Sequence, residues 1–134
     1  MCNIELSDKD KQELLDFMNN YSKSISEKDV EKVKNKLNKK IGFLKRKKSL
    51  PNYVKVMGKQ IEELALLINH DDVEVDTFNK AIAALHYFIL SEDRIPDYIP
   101  IIGYLDDAFI ISVVHNDIKE EVNRIKILLS KKAT

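Results

Sequence analysis

The sequence predicts an all-α protein: a compact bundle of five or six helices with a central apolar helical hairpin. Three observations carry that expectation. The 134 residues contain only three glycines and three prolines, too little turn chemistry for a protein of many short strands. Apolar residues recur every three or four positions through long runs rich in Lys, Glu, Leu and Ile, which is the period of helices burying one face. The segment from Ala81 to Val114 is the most apolar of the chain, interrupted by acids, two prolines and one glycine at specific places. A chain of this length is expected to form one domain, residues 1–134, burying roughly two-thirds of its unfolded surface without a metal or disulfide.

The elements follow in order. Ser7-Asp8-Lys9-Asp10 is a helix start, a Ser cap with acids in the first turn, ahead of Leu14, Leu15, Phe17, Met18, Tyr21 and Ile25. Ser26-Glu27-Lys28-Asp29 repeats the signal. The helix after it carries a narrow apolar stripe (Val30, Val33, Leu37, Ile41, Leu44) and a very basic remainder. Gly42 inside it costs about 1 kcal/mol against Ala, so a bend or early end is expected there. Ser49 and Pro51 suit the next start, and Val54, Met57, Ile61, Leu64, Leu67 and Ile68 continue at helical spacing to about Asn69. After the acidic HDDVEVD loop, Asp76 or Thr77 can cap a helix from about Thr77 to Leu90. That helix is apolar on most faces and should be the most buried. Pro96 and Pro100 break the SEDRIPDYIP stretch. Ile101 to about Asn116 forms the next helix, and Asp117 can cap a last one with the stripe Ile118, Val122, Ile125 and Leu128 or Leu129.

The zero net charge hides an asymmetry. Between Lys32 and Lys59 stand eleven Lys/Arg and no acid, whereas between Glu62 and Asp107 stand eleven Asp/Glu against only Lys80 and Arg94. Lys34, Lys36, Lys39, Lys40, Lys45, Arg46, Lys47 and Lys48 form a basic run able to bind phosphates of an anionic surface. Only Phe43 and Tyr53 interleave it, so base stacking on nucleic acid has little support. A solvated face, or one matched to an acidic patch on the same or another copy, is the plainer reading of such a run.

Enzymatic chemistry finds few handles. The lone Cys2 has no Cys/His partner pattern, no Ser or Cys nucleophile motif occurs, and scattered glycines form no phosphate loop. His70, His86 and His115 lack the i, i+4 spacing of a helical metal site, and His86 on the buried helix reads as a hydrogen-bonded core residue. Unpaired cysteine usage and the missing signal-peptide pattern lead us to expect a cytoplasmic protein, at most peripheral to a membrane. A spanning hairpin is disfavoured because the best window, Ile95 to Val114, contains Asp97, Asp106 and Asp107. A central Asp costs roughly 2.5–3.5 kcal/mol on insertion scales.

Glu92, Asp93, Asp97, Asp106 and Asp107 fall within sixteen residues, with Arg94 as the one cation among them. Asp106 and Asp107 have apolar neighbours three and four residues away, so at least one should be partly buried and need partners. Capping of backbone N–H groups and pairing with Arg94 are the expected partners. A shared hard cation, Mg²⁺ or Ca²⁺, is the alternative, because such ions take oxygen ligands.

The stretch AALHYFILSEDRIPDYIPIIGYLDDAFII resembles the YkvA-like family of small bacterial proteins, a domain of unknown function. The matching positions are Tyr87-Phe88, Ser91, Asp93, Ile95-Pro96-Asp97, Ile99-Pro100, Gly103-Tyr104 and Asp106-Asp107, within about residues 77–112. Glu92 stands where the family usually has proline, replacing a rigid turn residue by a charge. The resemblance implies a compact helical domain, sometimes appended to larger and even membrane-embedded proteins, and no established reaction. The expectation is therefore a non-enzymatic interaction module. It would bind a protein partner, its own copy or an anionic surface through a charged helical face, with no small-molecule substrate and no cofactor. A divalent-metal protein or metal-dependent enzyme centred on the aspartates is the alternative.

Overall fold

The computed structural model describes residues 7–46, 50–91 and 105–132. These form six helices and, among the described residues, no strand: α1 (Asp8–Ser22), α2 (Glu27–Arg46), α3 (Asn52–Ile68), α4 (Val75–Ser91), α5 (Leu105–Asp117) and α6 (Lys119–Lys132). The all-α bundle is as the periodicity predicts.

Local chemistry sets the first starts. Ser7 Oγ accepts the Asp10 N–H at 3.1 Å, supplying one of the acceptors that a helix N-terminus lacks. At α2 the cap is reciprocal. Ser26 Oγ accepts the Asp29 N–H at 3.2 Å, and Asp29 Oδ2 accepts the Ser26 N–H at 3.0 Å, a capping box with Asp in place of Glu. Helix α2 runs past Gly42 to Arg46, so the expected early end does not occur. A Cβ at Gly42 would meet nothing within 4 Å.

The start of α4 departs from expectation. Helix α4 begins at Val75 with the Phe78 N–H on the Glu74 carbonyl at 2.9 Å, so Asp76 and Thr77 lie inside its first turn rather than before it. A last helix does begin just after Asp117, as α6 from Lys119, though among the described residues the Asp117 side chain caps no backbone N–H of it. The Ile118 N–H closes α5 on Val114 O and the Val122 N–H opens α6 on Ile118 O, both at 3.1 Å. The Asp117 carboxylate instead accepts from Lys80 Nζ at 2.9 Å. The expected start of α5 at Ile101 lies outside the described residues, as do Ser49, Pro96 and Pro100.

Helix α4 is the hub, packing on α1, α2, α3 and α5. Ala81, Ile82, Ala83, Ala84 and Leu85 are all buried, and the three alanines let neighbouring helices approach closely. Phe88 on α4, Ile61 and Leu64 on α3, and Ile110 and Ile111 on α5 complete the centre. Each such side chain contributes roughly 1.5–3 kcal/mol on burial. Helix α1 closes the bundle over α4 and α5, with Met18 as its buried residue. Among the described residues, no helix is long and apolar enough to cross a membrane.

Candidate functional site

The end of the bundle where α4 finishes and α5 begins gathers the charged groups that an apolar core tolerates least. Lys40, on α2, was expected on the basic outer face. The structure corrects this: Lys40 is only 8% exposed. Its Nζ donates to the carbonyls of Phe88 at 2.7 Å and Ile89 at 2.8 Å, in the last turn of α4. The ammonium also lies 5.2 Å from the Phe88 ring centroid. A helix C-terminus leaves carbonyls without intrahelical donors and carries partial negative charge, so a buried cation is held there by both. Lys40 sits on the stripe Val33, Leu37, Lys40, Leu44, a helical spacing that by itself marks the position as inward-facing.

The two aspartates of α5 divide as their apolar neighbours suggest. Asp107 is fully buried. Asp106 is half-buried and accepts the Tyr87 hydroxyl at 2.6 Å, tying the first turn of α5 to the last turns of α4. Both acids stand in a first helical turn, where the dipole favours negative charge. Asp93, Asp97 and Arg94 lie outside the described residues. Among the described residues, no three His, Cys, Asp or Glu side chains gather as a metal site would require.

A second polar cluster joins α1, α2 and α4. Tyr21 Oη lies 2.7 Å from His86 Nδ1, and His86 Nε2 lies 3.8 Å from Asp29 Oδ1. Desolvation lowers the His86 pKa more than the nearby Asp29 charge raises it, so the ring is neutral at neutral pH. Burial, then the charge of Asp29, pushes the Tyr21 phenol well above its ordinary range. Hydrogen bonds from Ser26, its backbone N–H foremost, hold the Asp29 carboxyl below its ordinary value. Tyr21 therefore keeps its proton, and its hydroxyl joins His86 Nδ1 to the Asp29 carboxylate, with which it also hydrogen-bonds. The order Asp–His–Tyr has the layout of a relay, but a phenol with a raised pKa is not an activated nucleophile. This cluster is a structural tie, as expected of a core histidine.

The remaining basic residues divide between two flanks of α2. Lys32, Lys36, Lys39, Phe43 and Arg46 fall within roughly 80° of arc at about 100° per residue. Lys36, Lys39 and Arg46 are exposed, and Phe43 is 52% exposed between them. Lys45 is exposed on the other flank, where it pairs with Glu62 of α3. Lys47 and Lys48 lie outside the described residues. The charges of this strip stand out in the sequence, whereas the placing of Phe43 on their face was missed there. The i, i+4, i+7, i+11 series Lys32-Lys36-Lys39-Phe43 was the available signal.

A groove of about 340 Å³ opens between α1, α4 and α5, with Leu15, Ala83 and Ile110 in its walls and the Lys80–Asp117 pair at its rim. A smaller one, about 270 Å³, lies between α2 and α3.

Compared with known proteins, residues 80–113 match a family model described as a protein of unknown function (DUF1232). That span covers most of α4 and α5, including Tyr87, Asp106 and Asp107. No curated protein and no solved structure matches the chain.

Proposed function

We propose that the chain is a non-enzymatic helical interaction module of the YkvA-like kind, which rests the outer strip of α2 on an anionic membrane surface. The motif from Tyr87 to Asp107 supports the YkvA-like part of this reading. The strip itself carries the functional part: four cations and one exposed aromatic ring on a single helical face, with no acid from residue 32 to residue 59. Interfacial helices use this combination, cations against lipid phosphates and an aromatic side chain at headgroup depth. At about 1 kcal/mol per Lys or Arg near an anionic leaflet, Lys32, Lys36, Lys39 and Arg46 contribute about 4 kcal/mol. That is close to a thousandfold in partitioning. Lys40 takes no part because its ammonium is committed to α4.

The test is sedimentation with vesicles of phosphatidylcholine, alone or mixed with phosphatidylglycerol. Binding should require the acidic lipid and weaken steeply with salt. The triple variant Lys36→Glu, Lys39→Glu, Arg46→Glu should lose it while keeping the parent melting temperature, since all three side chains are exposed. Binding that persists in this variant, or that ignores lipid charge, would sink the reading.

A further inference from the structure

The groove between α2 and α3 lies on the opposite flank of α2 from the proposed membrane strip, and a different partner fits it. Its floor is apolar, with Leu44, Leu50 and Val54, and its rim carries Lys45, Lys55 and Lys59. Lys45 is paired with Glu62, whereas Lys55 and Lys59 are exposed and hold no ion pair among the described residues. An apolar slot under two uncompensated cations asks for an apolar side chain flanked by acids.

The chain itself carries that feature at the far end of α3. In the turn from Asp71 into α4, Val75 is 75% exposed, the most exposed large apolar side chain among the described residues. Around it stand Asp71, Asp72, Glu74 and Asp76, all exposed. Asp72 is held by Arg124 and Asp76 by Lys80. Asp71 and Glu74 hold no ion pair among the described residues. Charge and polarity thus match at two places on the chain: two uncompensated acids beside an exposed valine, and two uncompensated lysines above an apolar slot.

These two features cannot meet within one copy. They lie at opposite ends of α3, whose 17 residues span about 25 Å. We infer that the α2–α3 groove is a docking site for the Asp71–Asp76 turn of a second copy of this chain, seating Val75 between α2 and α3 with Asp71 and Glu74 against Lys55 and Lys59. The contact is heterologous, head to tail, and so extends copies into a ring or filament rather than closing a two-fold dimer. It buries little area and depends on exposed charges, so it is weak, salt-sensitive and strongest at high local concentration.

Sedimentation velocity across a concentration series tests this, at about 50 mM and about 500 mM salt, which respectively spare and screen exposed charges. The wild type should self-associate at low salt and become monomeric at high salt. Lys55→Glu/Lys59→Glu should weaken association at least tenfold, and so should Asp71→Lys/Glu74→Lys, with each keeping its helical circular dichroism. Mixed in equal amounts, these two reversed variants should regain association with the two alternating one to one, because each groove then finds a turn of opposite charge only on the other variant. A wild type that stays monomeric at low salt, or association that neither double variant weakens, overturns the inference. A mixture no more associated than its components does so as well. The α2 strip variant that abolishes vesicle binding should associate like the wild type, which separates this contact from the membrane reading.

Discussion

Replacing Lys40 by Met is the most informative single change in this bundle, because it separates a cation that holds the fold from cations that face outward. Met matches the lysine stem in length and keeps the apolar packing beside Leu37 and Leu44, while removing only the ammonium. Two charge-assisted hydrogen bonds, to the carbonyls of Phe88 and Ile89, are lost with it. Bonds to charged groups contribute roughly 1.5–3 kcal/mol each. Against that loss stands the desolvation of a buried ammonium, which Met avoids and which offsets part of it. Both carbonyls lose a charged donor, so the net expectation is a loss of about 2 kcal/mol. A chain of 134 residues unfolds with an entropy of about 280 cal/mol/K, so this corresponds to a melting temperature lower by about 7 °C. Lys39→Met, one residue away but exposed, should stay within about 2 °C, as surface substitutions do. Thermal melts followed by circular dichroism measure both, and vesicle sedimentation below the transition supplies the counterpart. Lys39→Met should weaken lipid binding, whereas Lys40→Met should not. An unchanged or raised melting temperature in Lys40→Met would show that its bonds to α4 do not exceed the desolvation cost, refuting the argument.

Acidification should also destabilise the fold through His86. Its folded-state pKa lies below the ordinary 6.5, so the unfolded chain binds a proton that the folded ring refuses, and stability falls as pH drops from about 6.5 toward the lowered value. Melts between about pH 7 and pH 5 should show this slope in the wild type and a shallower one in His86→Gln; equal slopes would remove His86 as the cause. Asp29, its pKa held down chiefly by the Ser26 N–H, adds a separate loss below its ordinary 3.8. For Glu63, burial works against ionisation, but hydrogen bonds from Lys126 and His115 prevail, so its stabilisation too is lost only below the ordinary 4.5. Asp107→Ala should lower the melting temperature in metal-free buffer, since removing a fully buried carboxylate strands donors at roughly 1–3 kcal/mol each. Chelator, Mg²⁺, Mn²⁺ and Ca²⁺ should leave the wild type unchanged. A metal-dependent rise in the wild type, absent from the variant, would instead assign the acidic segment to a cation.

The order of the helices, the first two caps and the separation of basic from acidic halves were legible in the sequence. Each of these depends on residues within a turn or two of one another. Ser7 and Asp10, or Ser26 and Asp29, meet whatever the rest of the chain does. The burial of α4 was legible for a related reason: a helix apolar on most faces has no side to offer water. Periodicity also put Tyr21 and Met18 on the inward side of α1, and the crowding of apolar residues around Asp106 and Asp107 predicted that one of them would be buried.

Which group each polar residue would meet was decided only by the tertiary structure. Lys40 finds Phe88 and Ile89 across 48 and 49 positions, Tyr21 finds His86 across 65, and Lys80 takes Asp117 across 37. A helical stripe tells which face turns inward but not which neighbour it turns toward, because the same stripe can pack on any apolar partner at several crossing angles. Hydrogen bonds are less forgiving, being lost within about an ångström of misplacement. They select among those packings, and their partners become visible only once the helices are assembled. Lys40 shows both sides of this division. Its place on the stripe with Leu37 and Leu44 was written in the chain, yet charge alone assigned it to the surface. Only the α4 carbonyls, brought against α2 by packing, give its ammonium a place inside.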